Sequence, residues 1–212
     1  NFELLDKHLN ADDVFLDVGA NVGYFSLVAS DICRKVYSFE PDVALLEILR
    51  RSIKVADVNN VNTFQFGLFS SNMFTPFKIS RHKVLLEDSP DFALKQSDRN
   101  AIDAGDPAFP KIELKRYDEL RLDLVPDPVN FIKMDIEGSE LHALRGMRET
   151  LAENKPKMLL SVHPSKMAVF SQNHLTLVSE LREFGYDCCL VSGPNDALSN
   201  PDEMNNYELF CQ

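Results

Sequence analysis

Phe15-Leu16-Asp17-Val18-Gly19-Ala20-Asn21-Val22-Gly23-Tyr24-Phe25-Ser26 is the stretch on which the fold turns. With Val14 before it, its first part is a short apolar run that stops at Gly19 and reads as a buried strand. From Tyr24 to Ser30 the pattern reads as a helix. Gly19 and Gly23 mark the turn between them, where glycine permits unusual backbone angles and lets a ligand approach the main chain. Free N–H groups at the helix start favour an anionic or polar ligand. On the N-terminal side, Phe2 to Leu9 reads as a short helix. On the other side, Val36-Tyr37-Ser38-Phe39 reads as a second strand, closed by Glu40-Pro41. Asp42 is placed to cap a helix carrying Leu45, Leu46, Ile48, Leu49 and Ile53. Val61 to Phe66 follows as a third strand. A βαβαβ pattern within the first 66 residues predicts a parallel sheet with helices on both faces.

The middle of the chain is less regular. Phe74 to Ile79 and Lys111 to Lys115 are candidate strands that could pair with each other or extend the sheet. Between them, Ser80 to Pro110 is polar, with Asp88-Ser89-Pro90-Asp91 and Asp103-Ala104-Gly105-Asp106-Pro107. It is too long for an ordinary connection and reads as a surface insertion, a lid, or both. Asn130 to Ile136 is then a strand. Ser139 can cap a helix running towards Leu151, and Met158 to Val162 is another strand. Thr176 to Phe184 is a helix stopped by Gly185. Cys188 to Val191 and Tyr207 to Cys211 complete the strands. The expectation is one α/β domain over residues 1–212, doubly wound in three layers, with an insertion at about 80–110.

Composition narrows the partners. A chain of 212 residues with 44% hydrophobic residues suffices for one core. A formal charge of −11 argues against a nucleic-acid backbone or an anionic membrane as partner, since both would repel it. No apolar run approaches the roughly 20 residues of a membrane span, and no signal peptide is visible. The expectation is therefore cytoplasmic, for the segment from Asn1 onward. Cys33, Cys188, Cys189 and Cys211 form no CxxC pair and read as reduced thiols.

The acids around the glycine turn narrow the ligand. Asp17 stands just before the turn. Glu40 follows at the end of the next strand, about 20 residues on, where a carboxylate can accept hydrogen bonds from ribose hydroxyls. The dinucleotide pattern GxGxxG is not met, because Ala20 and Asn21 follow Gly19. The Gly-Lys-Ser/Thr ending of a phosphate loop is absent. Asp17 would repel a pyrophosphate and attract an ammonium. S-adenosylmethionine carries an ammonium, a sulfonium and a ribose, and suits these residues better than NAD. An NAD-linked oxidoreductase and a non-catalytic cofactor-binding module stand as the alternatives.

Three blocks together resemble the FkbM family of methyltransferases: Val14 to Gly23, Ser38-Phe39-Glu40-Pro41, and Ile132-Lys133-Met134-Asp135-Ile136-Glu137-Gly138-Ser139-Glu140. The last is the most specific. The resemblance runs from about Val14 to Pro164. It implies a seven-stranded sheet in the order 3-2-1-4-5-7-6, with the last strand antiparallel, and O-methylation of a hydroxyl on a sugar or natural product. It also implies that Gly19, Ala20, Asn21 and Gly23 wrap the methionine part. Asp17 would meet its amino group or organise the loop, and Glu40 would hold the ribose. Gly67 and Leu68 would lie at the adenine edge. One departure stands out. The family often has Glu two residues before the His that ends strand five, whereas this chain reads Ser161-Val162-His163-Pro164, which puts a Glu–His pairing there in doubt.

Methyl transfer from a sulfonium needs a positioned nucleophile, and a sugar hydroxyl benefits from a base. Lys133, Asp135 and Glu137 alternate along strand four and would share one side of it. Asp135 or Glu137 is the candidate to accept the substrate proton or hold its hydroxyls, unless a Lys133–Asp135 pair only orders the strand end. His163 is the candidate at the end of strand five. The spacing requires no metal, although Asp135, Glu137 and His163 could hold a divalent ion. Glu140 reads as a favourable charge in a helix's first turn. His142, inside a helix, and His174, read as solvated, are not expected to take part. The expected partner is a small-molecule or glycan acceptor whose identity the sequence does not carry.

Overall fold

A computed structural model describes residues 2–78, 83–84, 96–170, 172–192 and 206–212. At its centre lies β1 (Val14–Val18), buried at all five positions. Parallel strands β2 (Lys35–Phe39) and β8 (Phe131–Met134), numbered along the chain, pair with its two edges. Beyond β2 lies β3 (Val61–Phe64), and beyond β8 lies β9 (Lys157–Val162). The far edge is β11 (Tyr207–Cys211), antiparallel to β9, and then β10 (Cys188–Leu190). The sheet runs β3-β2-β1-β8-β9-β11-β10. Counting these seven alone, that is the expected 3-2-1-4-5-7-6 with an antiparallel last strand.

Burial on both faces explains why β1 reads as a continuous apolar run and not an alternation. Phe15, Val36, Phe131, Leu159 and Phe210 face one way, where Leu5 of α1 (Phe2–His8) and Ala29 of α2 (Tyr24–Ser30) pack on them. Leu16, Tyr37, Phe39, Ile132, Met134 and Leu160 face the other way. There they meet Tyr117 of α5 (Tyr117–Leu124), Leu144 of α6 (Glu140–Arg145), Leu151 of α7 (Arg148–Asn154) and Leu177 of α9 (His174–Glu183). Asp42 caps α3 (Val43–Val55) as expected, accepting from the amides of Ala44 at 2.8 Å and Leu45 at 3.4 Å.

A second sheet runs β4 (Gly67–Leu68), β7 (Lys111–Lys115), β5 (Met73–Lys78) and β6 (Lys83–Val84). Here β5 and β7 pair antiparallel with each other and do not extend the main sheet. Within the expected insertion, residues 80–82 and 85–95, among them Asp88-Ser89-Pro90-Asp91, lie outside the described residues, as does Ile79. The remainder contains β6 and α4 (Gln96–Asp103).

Four expectations change. First, β8 ends at Met134 and not at Ile136, because Glu137 and Gly138 take left-handed backbone angles with φ of 59° and 103°. Second, the single helix expected from Ser139 to Leu151 is two, α6 and α7. The break falls at Gly146-Met147, where a Cβ on Gly146 would collide with the Phe69 carbonyl oxygen. Third, Cys188 and Cys211 are directly opposed on antiparallel β10 and β11, with Cα atoms 4.2 Å apart, and form a disulfide. Successive strand residues face opposite ways, so only one of the adjacent Cys188 and Cys189 can meet Cys211. Cys33 and Cys189 remain free. Fourth, His174 is not solvated but buried at the start of α9, with its ring edge against Tyr207. No helix among the described residues is long and apolar enough to cross a membrane.

Candidate active site

The loops leaving the carboxyl ends of β1, β2 and β8 border an open cleft of about 790 Å³, counted with its solvent-facing mouth. Gly19, Asn21, Glu40, Pro41, Gly67, Leu68, Asp135 and Glu137 line it, so the cofactor and acceptor candidates meet in one space. Phe77 and Leu114 of the second sheet, with Phe69 just after β4, form an apolar wall that sequence reasoning missed. A second recess lies beside it, bordered by Asp17, Ala20, Tyr24, Phe25 and Lys133. Gly19, Asn21 and Asp135 border both.

The glycine turn is held from below by β2. The amides of Gly19 and Ala20 both donate to the Phe39 carbonyl, at 2.9 and 3.0 Å. Gly19 has a φ of 79°, and a Cβ there would collide with the Asp135 carbonyl oxygen. Gly23 has a φ of 89°, and a Cβ there would enter Leu49 of α3. Each glycine thus serves both a left-handed angle and a close approach.

Glu40 is buried and already holds the loop together. Its Oε2 accepts from the Asn21 amide at 2.8 Å and its Oε1 from the Asp42 amide at 2.9 Å. Burial pushes its carboxyl up to about 7. A carboxylate oxygen has two lone pairs, so one on each oxygen remains for a ligand's hydroxyl. Asp17 is also buried, which raises it to about 6, although the Ser26 hydroxyl donates to it at 2.5 Å. Its hydrogen bonds tie the end of β1 to Ser26 of α2, across the glycine turn.

Lys133 is 2% exposed and sits beside Asp17 in the β1–β8 register. Its ammonium donates to Ser161 Oγ at 2.9 Å, lies 3.5 Å from Asp135 Oδ2, and rests 5.0 Å from the Phe25 ring centre. Ser38, Asp17, Lys133 and Ser161 form a polar row on the α2 side of four adjacent strands. A buried ammonium needs such partners, and Ser161 supplies one where the family often has Glu.

The expected alternation of Lys133, Asp135 and Glu137 breaks where β8 ends. Asp135 stays near Lys133 and is 43% exposed, while Glu137 turns towards His163 and pairs with Lys166. His163 Nε2 lies 3.6 Å from Asp135 Oδ1 and 3.9 Å from Glu137 Oε2. Its Nδ1 lies 3.0 Å from Glu140 Oε1. Glu140 is fully buried, opens α6, and accepts from the Gly138 amide at 3.0 Å. His163 therefore does have a glutamate partner, supplied by α6 and not by its own strand. Burial lowers the imidazole, but Glu140 and Asp135 outweigh it and hold its pKa above the ordinary value. His142 faces away from this group, stacked on Phe69 and bonded to Ser70.

These residues fit S-adenosylmethionine. Glu40 offers a buried acceptor for a hydroxyl, Phe39, Pro41 and Leu68 offer apolar surface, and Gly19 lets the main chain be approached. Residues 17–188 match the family described as the methyltransferase FkbM domain. The chain belongs to that family. The hexuronic acid methyltransferase AglP of Haloferax volcanii is 30% identical over 154 residues, covering 70% of this chain and 55% of that protein. The methyltransferase sdnD of Sordaria araneosa is 26% identical over 163 residues, covering 67% and 63%. The chain thus spans between half and two thirds of the length of these curated relatives. Among solved structures, the FkbM methyltransferase of Methylobacillus flagellatus superposes with a TM-score of 0.61 at 21% identity, over 99% of this chain and 50% of that one. SMU.1697c of Streptococcus mutans, solved with S-adenosylhomocysteine, superposes with a TM-score of 0.57 at 12% identity, over 99% and 93%. Likeness at these identities is likeness of fold. Membership of the family takes the place of the NAD-linked alternative.

Proposed function

We propose that this chain is the catalytic domain of an S-adenosylmethionine-dependent O-methyltransferase whose acceptor is a hydroxyl of a sugar, glycan or natural product. The observation that carries the reading is that Asp135 and Glu137 line the same cleft as Gly19 and Glu40, with His163 close behind both carboxylates. The sugar-modifying relative from Haloferax volcanii supports the acceptor class.

Bound in the cleft, S-adenosylmethionine supplies a methyl group on a positively charged sulfur. Glu40 accepts from the ribose hydroxyls with its remaining lone pairs. Gly19, Ala20, Asn21 and Gly23 let the amino-acid end lie against the main chain, with Gly67 and Leu68 along the base. Asp17 steadies the loop through Ser26 and adds negative charge near the ammonium. Lys133 holds Asp135 in place from inside the sheet. The acceptor hydroxyl lies beside Asp135, whose exposed carboxylate, held by Lys133, receives its proton as the new carbon–oxygen bond forms and the methyl–sulfur bond breaks. Glu137 and His163 bind neighbouring polar groups of the acceptor. General-base help of this kind is worth about 10²–10⁴ in rate.

The test is turnover with a labelled methyl donor against neutral sugars, uronic acids, hydroxylated natural products and peptides, followed by product chemistry. A methyl ether, stable to mild base, is expected. Methylation of peptide amines alone would overturn the hydroxyl reading, and a base-labile methyl ester would move the acceptor from a hydroxyl to a carboxylate.

A further inference from the structure

We propose that Asp135, Glu137 and His163 bind one divalent cation of the kind that accepts mixed oxygen and imidazole donors, such as Mn²⁺ or Zn²⁺. This deepens the methyltransferase reading for the acceptor's place, but the binding itself does not depend on it.

One donor atom from each residue lies within 4.8 Å of those of the other two. They arrive from separate elements: Asp135 and Glu137 from the turn after β8, and His163 from the end of β9. A cluster of acids alone would carry nothing, since acids gather on any acidic protein. The imidazole changes this. His163 is 7% exposed, and its Nδ1 is taken by Glu140 at 3.0 Å. An ionised carboxylate only accepts, so in the neutral ring that contact puts the proton on Nδ1 and leaves the Nε2 lone pair facing the other two carboxylates, where a cation would take the place of a second ring proton. At 3.6 and 3.9 Å, neither is within hydrogen-bond distance, and Nε2 has no hydrogen-bond partner among the described residues.

Three electron-pair donors therefore face one space. A buried carboxylate behind the ring sets the tautomer, as it does behind metal-binding histidines. Among the described residues, the ammonium groups at hand are Lys133, held inside the sheet against Ser161, and Lys166, which pairs with Glu137 from a partly exposed side chain. Lys166 is the cation's rival for Glu137. Imidazole with two carboxylates suits Mn²⁺ or Zn²⁺ better than Mg²⁺, which prefers oxygen and retains its water. A cation here would stand beside Asp135, where the acceptor oxygen is proposed to lie, and would lower that hydroxyl's pKa.

The test is Mn²⁺ binding to the tag-free chain, followed by calorimetry and electron paramagnetic resonance, with no donor or acceptor present. One saturable site is expected. His163→Ala and Asp135→Asn should each weaken it at least tenfold. Glu140→Gln, which leaves all three ligands in place, should weaken it about 10–100-fold, and Lys166→Met should tighten it. His163→Gln serves if His163→Ala does not fold, and thermal unfolding by circular dichroism reports folding of every variant. No saturable binding at millimolar Mn²⁺, or binding indifferent to His163 and Asp135, overturns the site. If S-adenosylhomocysteine binds and Mn²⁺ does not, the cation site alone fails. If Mn²⁺ binds and no methyl donor is used, the methyltransferase reading fails and the cation site stands.

Discussion

Gly19 joins the two halves of the proposed site, and its replacement by alanine separates backbone strain from steric collision. Three glycines make the comparison. Gly105 has a φ of 72°, and a Cβ there would meet nothing within 4 Å. Gly67 lacks the left-handed angle, and a Cβ there would lie 2.7 Å from Leu114 Cδ2, the tip of a flexible side chain. Gly19 carries both burdens: a φ of 79°, and a Cβ that would strike the Asp135 carbonyl oxygen and lie 2.8 Å from Ile136 Cγ2. Gly105→Ala should cost about 1–2 kcal/mol, the price of a left-handed L-residue. Gly67→Ala should cost about 1 kcal/mol, the low end of overpacking, because Leu114 can move. Gly19→Ala combines the angle with about 1–3 kcal/mol of overpacking against backbone, for a total of about 2–5 kcal/mol. At about 2–4 °C per kcal/mol for a chain of this size, its Tm should fall by about 4–20 °C, against about 2–8 °C for Gly105→Ala. Thermal unfolding by circular dichroism measures the difference. Since Asp135 must shift to admit the methyl group, S-adenosylhomocysteine affinity should also fall by at least about tenfold, or 1.4 kcal/mol, by calorimetry. A Gly19→Ala chain that melts within a degree of Gly105→Ala and binds as well as the parent would refute the close approach of the loop to Asp135.

Other expectations are simpler. Glu40→Gln keeps the shape but loses the charge, so S-adenosylhomocysteine should bind about 10–100-fold more weakly at pH 8, as one or two hydrogen bonds to a charged acceptor are lost; unchanged affinity would remove Glu40 from the ribose. Burial holds Asp17 at about 6 and Glu40 at about 7, above their ordinary 3.8 and 4.5. The folded chain therefore keeps these protons to higher pH than the unfolded chain. The stability they contribute is full below about pH 4 and is lost as pH rises through 6 and 7, by about 3 kcal/mol apiece. Unfolding of the ligand-free chain and of Glu40→Gln between pH 5 and 8 should show the parent losing more stability, and parallel curves would contradict this. Reducing the Cys188–Cys211 bridge, which closes a sequence separation of 23, should cost about 3 kcal/mol and lower the Tm by about 6–12 °C. Titration of four free thiols in the untreated chain would refute the bridge.

Elements whose signal is local were legible before any coordinates. The strand–turn–helix around Gly19, the Asp42 cap, and the strand from Tyr207 to Cys211 follow from short-range period, glycine placement and side-chain capping. What escaped the sequence depends on contacts between distant residues. Asp135-Ile136-Glu137 continues the alternation of β8, so nothing local ends the strand at Met134. The chain turns where Glu137 and Gly138 take left-handed angles, and Gly138 there passes close to the Lys166 backbone. The apolar period runs unbroken through Gly146, but there the Phe69 carbonyl leaves no room for a Cβ, and the distant Asp118 donates its amide to the Gly146 carbonyl and accepts from the first amides of α7. Glu140 is the clearest case. It does stand in the first turn of its helix, as its position suggested, but nothing local showed that it is buried against a histidine 23 residues away. The clue available was that three acids within six residues, next to buried strands, need partners. His174 shows the same limit: its place at a helix start suggested solvent, but Tyr207 covers it.

The central claim is that the cofactor lies across the Gly19 loop with its ribose on Glu40 and its sulfur towards Asp135. A crystal structure of the chain with S-adenosylhomocysteine measures this directly. The account predicts ribose hydroxyls within about 2.6–3.2 Å of the Glu40 carboxylate, the adenine beside Gly67 and Leu68, and the sulfur on the side of the cleft bordered by Asp135. An adenosine bound elsewhere, or a sulfur facing away from Asp135, would contradict it.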